Sequence, residues 1–412
     1  MTAQRTAQAR DGALRIAVVG GSLGGLTAAL LLRDLGHDVD VFERATGELT
    51  GFGAGIVAHP VGVRYVVERT ATSLESFTVA VGAYRLLDGS GSRLWEEPVR
   101  YRFVSWGALY RVLLGAFGLE HYRQGMALVG FDQDARGVDL RFASGEKLRC
   151  DLLVLADGVQ STGRQRLFPG AEPAYSGYVA WRGTVAERDI APAVRDRLDD
   201  AIVYALIPNS HALVYPIPGA DGRVDRGHRL WNFVWYRNVA KGAAFDELMT
   251  DRDGASHPVS LRPGRVQDRH VREMKDFAAT ALPKEVSAIM AAAEQPFIQA
   301  VMDVASPAMA VGRVCIIGDA AFAVRPHAAA GTAKAAENAW TLAEAIEKCG
   351  GDLPGALQQW SAQQTALGKD LLERTRHLGD GSQFRCDWRP GDPGHRFGLY
   401  EAGDSSIWER RR

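Results

Sequence analysis

Cysteine is scarce. The 412 residues hold four, Cys150, Cys315, Cys349 and Cys386, too scattered for a CxxC pair or for a His/Cys cluster at metal-ligand spacing. This excludes a disulfide-stapled scaffold and a zinc ribbon, and predicts reduced thiols in a cytoplasmic protein. Net charge is equally scarce: 48 Lys+Arg against 49 Asp+Glu leave −1, so no global field gathers nucleic acid or an anionic membrane. No uninterrupted apolar run reaches the ~18 residues of a membrane-crossing helix. Residues 1–13 lack the basic-then-apolar layout of a secretory signal. Internal repeats and long low-complexity stretches are missing too. What remains is an ordinary soluble composition, 46% hydrophobic and 24% charged. The chain is longer than one hydrophobic core usually organises, so two domains, or one large domain with an insertion, are expected.

Residues 14–20 (LRIAVVG) are apolar and rich in β-branched side chains, the pattern of a buried parallel strand. Small and apolar residues over 24–35 predict a helix with Gly36 as its C-cap, and residues 39–43 (VDVFE) a second strand, completing a β-α-β unit. Two further runs, 152–157 (LLVLAD) and 314–319 (VCIIGD), read as strands ending in an acid, the second followed by a helical pattern over 331–348. These distant segments are expected in one sheet. Between residues 177 and 239 the pattern changes to short aromatic and β-branched pieces, YVAWRGTV, IVYALI, HALVYPIPG and RLWNFVWYRNV, separated by Pro and Gly. The expected fold class is α/β: a Rossmann-like domain (1–75, 101–172 and 276–350) with an inserted, mostly antiparallel β-sheet (76–100 and 173–275) and a C-terminal helix and tail (351–412). Within the last, residues 379–395 read as irregular.

Residues 20–25 (GGSLGG) lie between the first strand and the helix. A dinucleotide pyrophosphate needs a tight turn, close backbone approach and a helix N-terminus aimed at it. Gly20 and Gly25 take the first and third glycine positions of GxGxxG, with Ser22 at the second. Glu43, ending the second strand, stands where an acid accepts hydrogen bonds from the ribose. Gly20, Ser22, Leu23, Gly24, Glu43 and the adjacent Arg44 are therefore cofactor-binding candidates. The turn alone does not choose between FAD and NAD.

Residues 151–164 (DLLVLADGVQSTGR) and 318–331 (GDAAFAVRPHAAAG) make that choice. With the glycine turn, and in this order, they resemble the para-hydroxybenzoate hydroxylase family of flavin monooxygenases. The first matches the family's D-x(n)-GADG-x-x-S-x-x-R, with Leu155 in place of the leading Gly. The second matches G-D-A-A-H-x-x-x-P-x-x-G-Q-G, with Phe322, Ala329 and Ala330 replacing His, Gly and Gln. Asn338, near the end of the following helix, stands where Asp is usual. Segments 20–44, 51–57, 175–183, 211–219, 245–251 and 325–331 are similar to the branch that acts on N-heteroaromatic rings, bacterial urate hydroxylases included.

The resemblance implies noncovalent FAD, a transiently docked NAD(P)H, and O2 delivered to a small electron-rich aromatic substrate through a flavin C4a-hydroperoxide. It places Asp157 near the flavin pyrophosphate and Asp319 on the ribityl chain. Pro326, Ala330 and Gly331 would face the flavin, where a helix N-terminus with free N–H groups stabilises the anionic reduced ring. A family Arg on R-x-x-L-x-x-x-L falls, given Leu113 and Phe117, on Tyr110, with Arg111 beside it; one of the two contacts FAD.

Strand alternation puts His211, Leu213 and Tyr215 on one face of the insert. His327 follows Pro326 in the flavin loop. Histidine suits proton exchange near neutral pH, so His211 and His327 are the catalytic and substrate-binding candidates, with Tyr215 and Trp235 in the pocket wall. Arg182 reads equally as structural or functional. A homodimer is left open. The competing readings are an FAD-dependent oxidase or dehydrogenase of the same fold and a non-catalytic flavin-binding protein.

Overall fold

The computed structural model describes residues 12–47, 49 and 54–404; the stretch 51–53, part of one segment of likeness, lies outside them. The sheet that opens the chain has six strands. Their order is Ala310–Val311, Val314–Ile316, Leu152–Leu155, Arg15–Val19, Asp38–Glu43 and Tyr122–Gln124. All neighbours are parallel except the short Ala310–Val311 edge hairpin. Helices cover its strands, which explains why residues 152–155 are apolar without alternation. Two of the expected strands stop before their acids. They end at Leu155 and Ile316, so Asp157 and Asp319 sit in the turns that follow, at the carboxyl edge of the sheet where α/β proteins bind ligands. The opening helix, Leu23–Asp34, packs on the helix Gly331–Glu347 so closely that a Cβ on Gly24 would lie 3.0 Å from the Ala335 methyl.

The second sheet has nine strands, in the order Ser260–Leu261, Phe297–Asp303, Ala174–Ala186, Leu230–Asn238, Ser210–Ile217, Ala201–Ile207, Val79–Asp88, Arg93–Ser105 and Gly55–Val57. It is antiparallel apart from the Ala201–Ile207/Val79–Asp88 pair. Its two faces are separate cores. One buries Trp231, Phe233 and Trp235 under the helices Asp268–Ala281 and Lys284–Ala292. The other, toward the six-stranded sheet's loops, carries Tyr101, Phe103, Tyr178, Tyr204, Tyr215 and Tyr236. A smaller three-stranded sheet spans residues 128–150.

The reading of residues 379–395 as an irregular tail is corrected over 379–385 and holds for most of 386–395. The helix Leu353–Asp380 runs on into a π-helical turn, Gly381–Arg385, which closes at Cys386 in the left-handed region (φ 53°). Trp388 is then tied back by its indole N–H, which donates to Leu378 O at 2.8 Å. Glycine, proline and aspartate suggested irregular backbone throughout, but contacts with the second sheet hold the segment. Asn338 is also corrected: it lies midway along Gly331–Glu347, not near its end.

Candidate active site

The glycine turn is a backbone cradle. A Cβ on Gly20 (φ +105°) would sit 2.2 Å from Ala156 O, and one on Gly25 would sit 1.9 Å from Gly20 O. Neither position admits a side chain. Ser22 begins the helix without capping it through its hydroxyl, and the first turn holds no acid, so the helix's leading N–H groups are open to an anion. Leu23 turns its side chain into the core and offers only its backbone. Glu43 is buried and holds the turn: its two oxygens accept from Gly21 N and Ala45 N, each at 2.8 Å. Arg44, beside it, is exposed. Tyr122 Oη donates to Gly21 O at 3.1 Å, and Tyr110 Oη lies 3.1 Å from Tyr122 Oη. Tyr110 therefore braces the turn from below, while Arg111 is on the surface of its helix.

The second motif braces the third. Arg164, fully buried, donates to Val159 O, Ala171 O and Ala320 O at 2.6, 2.8 and 2.9 Å. It thereby locks the loop that begins at Gly318. Asp157 accepts from Gly163 N through Oδ2, while its Oδ1 is sealed from solvent without a partner among the described residues. Burial pushes this carboxyl's pKa up, as expected of an acid waiting for a donor. Asp319 Oδ1 accepts from the buried Lys334 Nζ at 3.0 Å, and Lys334 also donates to Phe322 O. Lys334 was not singled out from sequence, because a lysine on a helix ordinarily reads as surface. Asn338 accepts from Gly318 N (3.0 Å) and donates to Gln364 Oε1 (2.8 Å), a donation the usual Asp could not make when ionised. Pro326 opens a short turn, Ala329 sits in the left-handed region (φ 51°), and Ala330 precedes Gly331 without a side-chain cap. The N-terminus of Gly331–Glu347, with no acid in its first turn, is thus open like that of the opening helix.

Above this loop stands an aromatic cage. The His211 and His327 rings are 5.3 Å apart, and Tyr236 lies 4.7 and 4.8 Å from them. Tyr178 Oη is 2.8 Å from His327 Nε2, Tyr204 stacks on His211 at 5.9 Å, and Trp388 lies 4.6 Å from His211. His211 Nδ1 is 2.9 Å from Ser382 Oγ. Both imidazoles are held neutral. Burial, then the His395 charge, lowers His211 to about 3; burial, then His211 and Arg325, carries His327 well below its ordinary value. His327 Nδ1 has no partner among the described residues. Arg325 is neutralised by Asp303 and by Asp380 at 2.6 Å. Arg182 faces the cage from the same strand face as Tyr178, opposite Val234. Its Nε is sealed and unpartnered among the described residues, and its charge opposes the burial that raises Tyr236 to about 12.

Tyr215 shares this face; its hydroxyl donates to Gly55 O at 2.8 Å and its ring stacks on Phe103 at 4.2 Å. Trp235 does not share it. It lies on the opposite face, donates to Ser210 Oγ at 2.9 Å and stacks on Phe277. The expected wall position of Trp235 is thereby corrected: one residue's shift along a strand reverses the face, and Tyr236 is the residue that looks into the cage. The sequence reading also missed Tyr178, Ser382, Gln383 and Trp388. Alternation from Arg182 would have found Tyr178; nothing in the pattern announced the other three. Gly379 leaves room for the cage, since a Cβ there would lie 2.4 Å from Tyr178 Oη and 3.0 Å from His327 Nε2.

Two open helix N-termini, a glycine cradle no Cβ can enter and the orphaned Asp157 oxygen fit FAD, and the neutral imidazoles beside them fit an acid–base site. Together they define an FAD-dependent aromatic hydroxylase. Profiles described as NAD(P)-binding Rossmann-like domain and FAD binding domain-like match residues 18–77 and 175–303. The 2,6-dihydroxypyridine 3-monooxygenase of Paenarthrobacter nicotinovorans is 40% identical over 394 residues, covering 95% of this chain and 98% of that protein. An FAD-dependent urate hydroxylase of Klebsiella pneumoniae is 27% identical, covering 91% and 90%. The solved 2,6-dihydroxypyridine-3-hydroxylase of Arthrobacter nicotinovorans superposes with a TM-score of 0.90 at 40% identity, over 94% of this chain and 98% of that one. The chain belongs to the para-hydroxybenzoate hydroxylase-type family of FAD- and NAD(P)H-dependent aromatic monooxygenases.

Proposed function

We propose that this enzyme hydroxylates a small, already hydroxylated N-heteroaromatic ring, with a dihydroxypyridine as the first substrate to test. The observation that carries the reading is the pair of buried neutral imidazoles, 5.3 Å apart, on an aromatic-lined sheet face. The 40% identity to a dihydroxypyridine monooxygenase supports the ring class. Bound FAD, reduced by NAD(P)H, supplies the activated oxygen. Glu43, Asp157, Asp319 and the N–H groups at Leu23 and Gly331 hold it.

The protein's own residues prepare the ring. With Nε2–H donating to Tyr178 Oη, His327 keeps a free lone pair on Nδ1, the atom that takes the ring hydroxyl's proton. Loss of that proton makes the ring electron-rich. The proton leaves His327 an imidazolium that its burial disfavours, and Arg182, a permanent cation on the same face, shares in balancing the ring's anion. The aromatic walls keep water out while oxygen is transferred. The four free thiols suit a reducing cytoplasm, which is part of the same reading.

The test is product formed per NAD(P)H consumed with dihydroxypyridines, hydroxynicotinates, purines and phenols. A hydroxypyridine or related heterocycle should both stimulate NAD(P)H oxidation and be recovered hydroxylated. Oxidation without a hydroxylated product from any ring would sink the proposal.

A further inference from the structure

The turn that follows the long helix carries the most enclosed amide of the cage. Gln383 is fully buried, and its main chain is pinned by Asn238 Nδ2, which donates to Gln383 O at 2.7 Å. Its Nε2 donates to Ser382 Oγ at 2.9 Å and lies 3.4 Å from His211 Nδ1. Its Oε1 is sealed from solvent and has no donor among the described residues. In this orientation Ser382 Oγ accepts from Nε2 while its hydroxyl is free to donate to His211 Nδ1, and the side-chain carbonyl is the group left for a ligand's donor. Buried carbonyl oxygens are nearly always paired. A second orphan, His327 Nδ1, belongs to the same cage on a different element, with the His211 ring between the two residues' contacts.

We propose that Gln383 is a specificity-determining residue: its side-chain carbonyl accepts a hydrogen bond from a ring N–H, as in the lactam form of a hydroxylated N-heterocycle, while His327 handles the hydroxyl proton. The proposal rests on the N-heteroaromatic reading above. A site built around a hydrogen bond rejects the analogue that lacks it, because the analogue leaves a buried acceptor unpaired. Ser382 fixes the amide and His211 together, so the acceptor and the imidazole are set at one spacing. A carbocyclic ring of the same shape would meet Gln383 with a C–H.

The experiment compares 2,6-dihydroxypyridine with its carbocyclic counterpart resorcinol on the FAD-loaded enzyme. Binding is read from the perturbation of the flavin spectrum, and turnover from kcat/KM. The wild type should prefer the pyridine. Gln383→Leu should weaken pyridine binding by about tenfold or more, the effect of one lost hydrogen bond, and change resorcinol binding less than twofold. Gln383→Glu, which keeps an acceptor, should recover most of the preference. Gln383→Met carries the same expectation as Gln383→Leu and replaces it if that variant fails to retain FAD. Equal losses for both rings would show that Gln383 merely supports His211, and no loss for either would show that it supports nothing; each result overturns the proposal. A wild type that hydroxylates resorcinol as well as the pyridine overturns the N-heteroaromatic reading itself, and is seen before any variant is made. A wild type that prefers the pyridine while Gln383→Leu keeps that preference overturns only the role of Gln383.

Discussion

Trp235 and Tyr236 are neighbours in the chain and lie in different environments. Trp235 faces a core of Trp231, Phe233 and Met274 in which its indole N–H is satisfied by Ser210. Tyr236 faces two histidines, and on this side Arg182 Nε, His327 Nδ1 and Gln383 Oε1 are all without partners among the described residues. Under the helices of the outer face His270 Nε2 is likewise without a partner among the described residues, but on the inner face three such atoms gather around the histidines, the basis of the substrate site proposed above. Buried polar atoms cost free energy unless paired, so a face that tolerates several of them marks a binding site.

The largest expected effect breaks the inner face without unfolding the protein. His327→Ala should keep the flavin spectrum and lose hydroxylation by about 10²–10⁴-fold, the usual worth of a positioned base. NAD(P)H oxidation should continue in part, uncoupled and ending in hydrogen peroxide. His211→Ala should behave alike but less severely, since its Nδ1 is already engaged by Ser382. Product per NAD(P)H is the measurement; wild-type coupling and turnover in both variants would remove the histidines from the mechanism.

Trp235→Ala should do the reverse. It empties a fully buried position and should cost roughly 3–5 kcal/mol of stability, read as a lower urea midpoint, while coupling in the folded fraction stays at the wild-type value. If Trp235→Ala uncoupled the reaction and His327→Ala did not, the assignment of the two faces would be inverted. Asp319→Ala acts on neither face. It should weaken FAD by about 1.5 kcal/mol, the lower end for a charge-assisted hydrogen bond because the side chain is half exposed. An unchanged flavin dissociation constant would remove Asp319 from the cofactor site.

The two parts of the site differed in legibility for a physical reason. The cradle is made of backbone, and backbone needs leave a signature: Gly20 and Gly25 admit nothing else, and Arg164 stands at a fixed distance from Asp157. Three of the first sheet's six strands, Arg15–Val19, Leu152–Leu155 and Val314–Ile316, were readable because burial on both faces forces continuous apolar runs. The cage is made of side chains from segments hundreds of residues apart. His211 and Tyr215 were reached through alternation, whereas Trp235 was put in the wall as an aromatic of the insert, with no alternation applied to its strand, and its neighbour Tyr236 is the residue on the cage face. Ser382, Gln383 and Trp388 gave no signal, since a Gly- and Asp-rich stretch looks the same whether it hangs free or is packed by tertiary contacts.

The smallest effect separates the faces by pH. His211 and His327 are both pushed below the ordinary 6.5 by burial, His211 to about 3. The folded protein therefore refuses protons that the unfolded chain takes up. Stability from these groups is complete above about pH 6.5 and is lost as pH falls toward the folded-state values, by roughly 1.4 kcal/mol per pH unit for each histidine. Carboxylates such as Asp251, lowered in the folded state, add their own loss only at more acid pH. Between pH 6 and 5 the histidines dominate, although His59, also lowered by burial to about 4, contributes in every variant. His211→Gln should accordingly flatten the decline of the urea midpoint over that interval, measured at saturating FAD. Trp235→Ala should lower the whole curve and leave its slope as in the wild type. Parallel curves for wild type and His211→Gln would mean that the His211 site admits a proton in the folded state, and the neutral-imidazole basis of the site would fail with it.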